Sequence, residues 1–413
     1  MAYARRATVD LQYNGKNVSS SLAEYLEDFS FTDSASGESD HISIQVNNRD
    51  GRWTGSWMPS KGDKLTPTIR TEHWDGEGSS GSLSCGVHIL DSFSARGGSG
   101  GATCSLDGVA MPSDEAFKAT KRTKTWEKAM LSQIGGEIAG RAGISFMFEA
   151  SDIFIESREQ NEQADCDFLN SLCGTYGYIM KAYNNKLVIF DPARYEAKGA
   201  VRTITPKDVN SWSYQTVIDG TYTGAKIAYT NQTTGETVDV VVGGGSRLLS
   251  LNEKADSIGD AQLIARGKLA AENRKAETVE LSIMLDLKLA SGCCITLSGF
   301  GKVDGKYLIL SITHSLGSGS TTSISAYKVP GSSGGSGTAA PNTKSNSSGT
   351  YVVKRGDSLW SIAKSLWGNG ADYMRIYEAN AEKIEAAART IGKASSESGY
   401  WIVEGTTITI PER

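Results

Sequence analysis

Several large protein classes are excluded by what this 413-residue sequence lacks. It has only 8 prolines and 6 cysteines. So few cysteines over such a length exclude a disulfide framework as the source of stability. Cys166 and Cys173 lie in a helical pattern, where their separation rises about 10.5 Å, beyond the ~7 Å between Cα atoms that a disulfide tolerates. Cys293 and Cys294 are neighbours in an expected strand and point to opposite faces. Cys85 and Cys104 are placed to face each other across a hairpin, yet buried free thiols are the expectation for the set. No C-x-x-C or H-x-x-x-H spacing occurs, so neither a metal site nor a cofactor is expected. No apolar run approaches the ~18 residues that would span a bilayer. Basic residues do not prevail either: 42 Lys and Arg stand against 47 Asp and Glu, for a net charge of −5. A broad footprint for nucleic acid is therefore not expected. Arg5 and Arg6 near the N-terminus have no apolar core behind them, unlike a signal peptide, so folding in a cytoplasm is expected.

What is present points to strands and tight turns. Glycine is abundant, at 46 residues. Over residues 1–115, Val9, Leu11 and Tyr13 alternate with Thr8, Asp10 and Gln12. Ile42, Ile44 and Val46 alternate with His41, Ser43 and Gln45. Period two gives one buried and one wet face. Asn14-Gly15 and Asp50-Gly51 are turn signals between such runs. Residues 116–200 change character. Thr125 is placed to cap a helix carrying Trp126, Met130, Ile134, Ile138 and Ala142, with Gly143 as its stop. A second helix carries Phe168, Leu169, Leu172 and Tyr176, and a hairpin follows around Asn184-Asn185. Residues 201–330 return to strands, with one helix whose stripe is Ala261, Ile264, Ala265 and Leu269. His314 closes a strand there, where a structural hydrogen bond is its expected role. The layout echoes the first segment without a repeat at residue level.

Residues 331–349 are a Gly/Ser-rich linker, too polar to offset the entropy of ordering. A flexible chain of this length spans about 22–26 Å. Residues 350–413 then read strand, helix, helix, strand.

That last module resembles a LysM domain. The resemblance is carried by Tyr351-x-Val353, Gly356-Asp357-Ser358-Leu359-Trp360, Ile362-Ala363, Trp367-Gly368, Ile376-Tyr377-x-Ala379-Asn380, and Gly405 with Ile408 to Pro411. It implies a shallow groove for N-acetylglucosamine-containing glycans such as peptidoglycan. On this chain the groove would be lined by Gly356, Asp357, Ser358 and Leu359 on one side and by Trp401 and Ile402 on the other. Backbone amides and short polar side chains there suit N-acetyl groups. Residues 385–400 depart from the pattern, as an expected long loop where the family has a short one.

The body resembles the late control gene D family, the baseplate hub proteins of contractile phage tails and related injection machines. Asp40-His41-Ile42-Ser43-Ile44-Gln45-Val46-Asn47-Asn48-Arg49-Asp50-Gly51 with Pro59 to Asp63, Gln163 to Tyr178 with Leu187 to Asp191, and Gly299 to His314 carry the likeness. It implies a mainly β chain with an α+β insert: two tube-like β-barrel domains (1–115 and 201–330), a small α+β domain (116–200), the flexible linker (331–349) and a βααβ LysM module (350–413). It further implies a non-enzymatic homotrimer in a virion or tail-like particle, joining a hexameric tail tube protein to a trimeric spike protein. Other baseplate proteins or peptidoglycan are the partners expected of the LysM module. The competing reading is a LysM-targeted peptidoglycan hydrolase. Glu156, Glu159 and Glu162 are the acids nearest to nominating one, and their spacing fits an exposed face better.

Overall fold

The computed structural model describes residues 4–35, 39–99, 101–110, 117, 120–183, 185–217, 221–230, 237–317, 319–331, 349–353, 357–367, 372–390, 393, 395–396, 399 and 402–411. The linker, except for residues 331 and 349, lies outside them, as do Asn184, Gly356 and Trp401. The chain divides into two compact units, residues 1–225, 242–250 and 264–335 in one, and 226–241, 251–263 and 336–413 in the other.

The first segment runs β1 (Arg6–Tyr13), β2 (Lys16–Asn17), α1 (Ser19–Ala23), β3 (Leu26–Ser34), β4 (His41–Asn47), β5 (Lys64–Glu72), β6 (Ser80–Ser84), β7 (His88–Gly98) and β8 (Gly101–Val109). The turns fall where glycine or asparagine takes a positive φ: Asn14-Gly15 between β1 and β2, and Gly51 after β4. The inward residues of the alternating runs, Val9, Leu11, Ile42, Ile44 and Val46, are all buried and share a core with Phe29, Phe31, Leu65, Ile69 and Leu106.

The middle segment comprises β9 (Lys121–Met130), α2 (Leu131–Arg141), β10 (Ser145–Glu149), β11 (Phe154–Ala164), α3 (Asp165–Thr175), β12 (Ile179–Tyr183), β13 (Lys186–Phe190) and α4 (Pro192–Glu196). The expected helix from Thr125 begins instead at Leu131, because residues 121–130 form a strand antiparallel to β11. Gln133 and Asp152 supply the cap: Met130 N donates to Gln133 Oε1 at 2.9 Å and Ser132 N to Asp152 Oδ1 at 3.1 Å. Gly143, at φ +63, ends that helix as expected. The second helix and the β12–β13 hairpin stand where the periodicity puts them.

The third segment holds β14 (Ala200–Ile204), β15 (Val209–Thr216), β16 (Gly224–Thr230), β17 (Thr237–Gly243), β18 (Leu248–Leu251), α5 (Ile258–Asn273), β19 (Glu277–Met284), β20 (Cys294–Leu297), β21 (Gly305–Leu316) and β22 (Thr321–Lys328). Strands of the first and third segments belong to one 14-stranded sheet, whose main path is β15-β19-β22-β21-β3-β4-β8-β7-β5-β1-β2. The two segments join where β21 pairs antiparallel with β3, Ser311 opposite Ser34 through Leu316 opposite Phe29.

Within this path the chain repeats itself. Strands β3, β4, β7 and β8 in the first segment match β15, β19, β21 and β22 in the third, in chain order and in spatial order. Their registers coincide down to the bulges. Leu26 pairs with Val46 and Asp28 with Gln45, skipping Glu27; Val209 pairs with Ile283 and Ser211 with Ser282, skipping Asn210. Leu90 pairs with Gly108 and Ser92 with Asp107, skipping Asp91; Ile309 pairs with Ala326 and Ser311 with Ser325, skipping Leu310. His41 opposite Val109 corresponds to Thr278 opposite Tyr327. The echo expected from the sequence is thus a repeat of strand pairing.

The C-terminal module comprises β23 (Gly349–Val352), α6 (Leu359–Trp367), α7 (Tyr373–Glu378), α8 (Ala381–Thr390) and β24 (Thr407–Ile410). The two strands pair antiparallel, Tyr351 opposite Ile408. The part of the expected 385–400 loop up to Thr390 is helix, so the order is strand, three helices, strand. Ile384 and Ala388 bury a stripe at four-residue spacing, which is why this stretch holds a helix.

Candidate functional sites

The LysM groove would start at the turn after β23. Asp357 is half-buried, and its Oδ2 accepts from the Tyr351 hydroxyl at 2.9 Å. Ser358 is exposed beside it, and its carbonyl accepts from Ile362 N at 3.0 Å, the first turn of α6. Leu359 is only 1% exposed and belongs to the module core with Val353, Ile362, Ala363, Ile376, Ile384, Ile408 and Ile410. Ile402 is half-buried against the same core. So the described residues of the expected groove divide into a polar pair, Asp357 and Ser358, and an apolar pair, Leu359 and Ile402. Trp367, half-buried, packs on the core, as expected of a packing residue.

Two polar clamps fix the second side of this module. Asn380, 3% exposed, donates through Nδ2 to the carbonyls of Ile376 and Thr409, both at 2.7 Å, and its Oδ1 accepts from Thr409 N at 2.6 Å. It therefore ties the end of α7 to β24. Glu385 on α8 accepts from the hydroxyl and amide of Ser396 and from the Tyr377 hydroxyl at 3.0 Å. Those hydrogen bonds, Ser396 first, hold the Glu385 carboxyl down at about 2. Ser396 in turn accepts from Gly399 N at 3.0 Å. Gly399, at φ +86, lies so close to Leu359 that a β-carbon there would collide with the leucine side chain. Gly399 is thereby laid on the first turn of α6. The sequence offered no signal for this clamp, because Glu385 and Ser396 sit in a stretch that reads as polar loop.

In the body, a group of buried charges meets where three segments of the chain converge. Lys181 on β12 donates to Asp33 on β3 and to Ser291 Oγ at 3.0 Å, and stands 3.3 Å from Asp40. Their side chains are 13%, 11% and 0% exposed for Lys181, Asp33 and Asp40, so solvent screens this group little. Burial raises both carboxyls, but for Asp33 the charge of Lys181 and the hydrogen bonds of Lys181 and Ser291 prevail and hold it below the usual range. For Asp40 burial prevails and pushes it up to about 6. A cavity of about 320 Å³ lies beside Lys181, Asp33 and Ser291, with Tyr183, Phe190 and His314 in its walls. The three acceptors around Lys181 leave it a structural cation. His314 is 1% exposed and shares a 3.0 Å hydrogen bond between Nδ1 and Thr322 Oγ1, the structural role expected of it. A second cavity, of about 450 Å³, is walled by Leu11, Leu22, Trp53, Trp57 and Met58, with Tyr13, Ser21 and Ser56 among the polar residues at its walls.

Glu156, Glu159 and Glu162 are exposed on β11, as their spacing implies. Among the described residues no group of three or more His, Cys, Asp or Glu is arranged to hold a metal ion. All six cysteines are free; Cys85, Cys104, Cys173 and Cys294 are buried, and Cys166 and Cys293 are half-buried. No helix is long and apolar enough to cross a membrane among the described residues.

Comparison with known proteins fits both parts of this description. Residues 351–387 match the LysM domain family. An uncharacterized protein of Bacillus subtilis strain 168, YqbP, is 33% identical over 64 residues, which is 15% of this chain. The match spans 27% of the length of that curated relative. Among solved structures, the 43 kDa tail protein of prophage MuSo2 from Shewanella oneidensis superposes with a TM-score of 0.61 at 14% identity, covering 78% of this chain and 98% of that one. The tail protein from Neisseria meningitidis MC58 gives 0.60 at 11% identity, covering 78% and 96%. The chain therefore shares its fold with phage tail proteins and carries a LysM domain at its C-terminus.

Proposed function

We propose that this chain is a structural hub of a phage tail or contractile injection particle, without catalytic activity or cofactor. Three copies would assemble on the tail axis, between a hexameric tail tube protein and a trimeric spike protein. The observation that carries this reading is the repeat of a four-stranded unit within one sheet. Two such units per chain turn three copies into six quasi-equivalent positions, which is what matching six-fold to three-fold symmetry requires. The similarity to tail proteins over almost their whole length supports it.

On this reading the repeats centre on two tube-like domains, 1–115 and 201–330, with 116–200 as an insert between them. The LysM module, 350–413 behind the linker 331–349, would hold peptidoglycan or another baseplate protein. Asp357 and Ser358, with Gly356, Leu359, Trp401 and Ile402, would line its groove. Assembly would take place in the bacterial cytoplasm, before the particle is released. The test is the mass of the purified full chain by light scattering, together with a zymogram on murein. A trimer that leaves murein intact is the expected result; a monomer that clears it would replace this reading with that of a LysM-targeted hydrolase.

A further inference from the structure

In the LysM module, Ile402 lies between two anchors. On its C-terminal side, Gly405 N donates to the Val353 carbonyl at 2.8 Å and Val353 N to the Thr406 carbonyl at 2.9 Å, so the chain is tied to the end of β23. On its N-terminal side, Gly399 N donates to Ser396 Oγ at 3.0 Å. Ser396 donates in turn to Glu385, from its hydroxyl to Oε1 and from its amide to Oε2 at 2.8 Å. The Tyr377 hydroxyl holds the same carboxylate at 3.0 Å. Only residues 400–404 separate the two anchors. The Glu385 end rests on a helix, since Ile384 and Ala388 bury one face of α8. At Gly399 the two sides of the groove meet, because a β-carbon there would collide with Leu359 of the first side and crowd the Tyr377 ring. Its φ of +86 also suits glycine.

We infer, on the glycan reading of this module given above, that Glu385 and Ser396 are positioning residues for an N-acetylglucosamine-containing glycan. Ser396 is 0% exposed and meets no ligand itself. The oxygens of Glu385 are taken by Ser396 and Tyr377. Together they hold Gly399 against Leu359 before any sugar arrives. A groove side ordered in advance loses less conformational entropy on binding. Without the clamp, only a fraction of molecules present the ordered side at a given moment, and the apparent affinity falls by that fraction. The stretch around 385–400 thus tightens the groove from behind.

Titration of the full chain with an N-acetylglucosamine oligomer, well below the melting temperature, tests this together with hydrogen exchange at the Gly399 amide. Glu385→Ala and Ser396→Ala should bind the oligomer about three- to tenfold more weakly than the wild type. Glu385→Gln, which keeps an acceptor, should fall between. The Gly399 amide should be protected in the free wild type, exchange fast in the two free alanine variants, and be protected in all three once the oligomer is bound. A clamp that serves stability alone would lower the melting temperature and leave affinity unchanged. Should Glu385→Ala unfold the module, Ser396→Ala decides, because it keeps the Ser396 amide and the Tyr377 hydroxyl on Glu385. Wild-type affinity in a folded Ser396→Ala, or weaker binding with Gly399 still protected, would overturn the inference and leave the glycan reading standing. A wild type that binds neither the oligomer nor murein would overturn both.

Discussion

Lys181, on an edge strand of the insert's three-stranded sheet, is locked to Asp33, on the strand where the two halves of the main sheet meet. The same ammonium reaches Asp40 and Ser291, so one buried cation ties the insert to both β segments. Truncating it leaves two carboxylates buried without a cation. Lys181→Met should destabilise the body by about 3–5 kcal/mol, the usual cost of breaking a buried pair from one side. Urea unfolding followed by tryptophan fluorescence measures it; a loss below about 1 kcal/mol would mean the cluster is solvated and the lock is not there.

His88 makes the body acid-sensitive. It is buried at the start of β7 against Phe31, and burial pushes its imidazole down to about 4. An unfolded histidine takes up its proton near 6.5. The unfolded state therefore binds more protons between those values, and stability falls as pH drops from about 6.5 toward 4, by at most about 3 kcal/mol at 1.36 kcal/mol per unit. Asp40 acts in the opposite sense, since its raised carboxyl favours the folded state as pH falls through about 6. Comparing His88→Leu with the wild type isolates the first effect. Their difference in melting temperature should widen from pH 7 to pH 4.5; a constant difference would show that His88 is protonated in place.

Gly177, after α3, and Gly267, in α5, bring two backbones into contact, with the Gly267 α-carbon against the Tyr176 carbonyl. A methyl on Gly267 has no room, and what it meets is backbone rather than a side chain that can swing away. Gly267→Ala should lower the melting temperature by several degrees. Gly140→Ala, in α2 where a β-carbon meets nothing, should instead raise stability by about 0.5–1 kcal/mol through helix propensity. Differential scanning calorimetry of both variants checks the pair, and the same sign for both would contradict the packing.

Asn380 is the pin of the LysM module. Asn380→Ala removes the hydrogen bonds of a buried side chain to the carbonyl and amide of Thr409, at about 0.5–1.5 kcal/mol for each bond. Only the module should lose stability. Calorimetry should show a lower transition for the module beside an unchanged one for the body, and retention on murein sacculi should fall with the first alone.

Much of this molecule is legible in its residues, and the limits are physical. Alternation over Thr8 to Tyr13 and His41 to Val46 reports the core directly, since burial on one face of a strand is a local property. The stretch around Trp126 misleads because one buried tryptophan fits either period. It lies in a strand that stacks it on Phe168 with ring centroids 6.2 Å apart, and pairing with β11 is non-local. The repeat is hidden for a different reason. Backbone pairing and bulges are kept while side chains diverge, and the connections between matching strands differ in length, so no fixed period survives. Phe29-Ser30-Phe31 against Trp212-Ser213-Tyr214 is the trace that remains. In the LysM module the capping turn and Asn380 stand out in the motif, whereas the Glu385–Ser396 clamp is made by a helix that the motif does not contain.

An electron cryomicroscopy map of the assembled particle tests the hub assignment most directly. The account predicts three copies of this chain around the tail axis. Density for a single copy, or copies placed away from the axis, would contradict it.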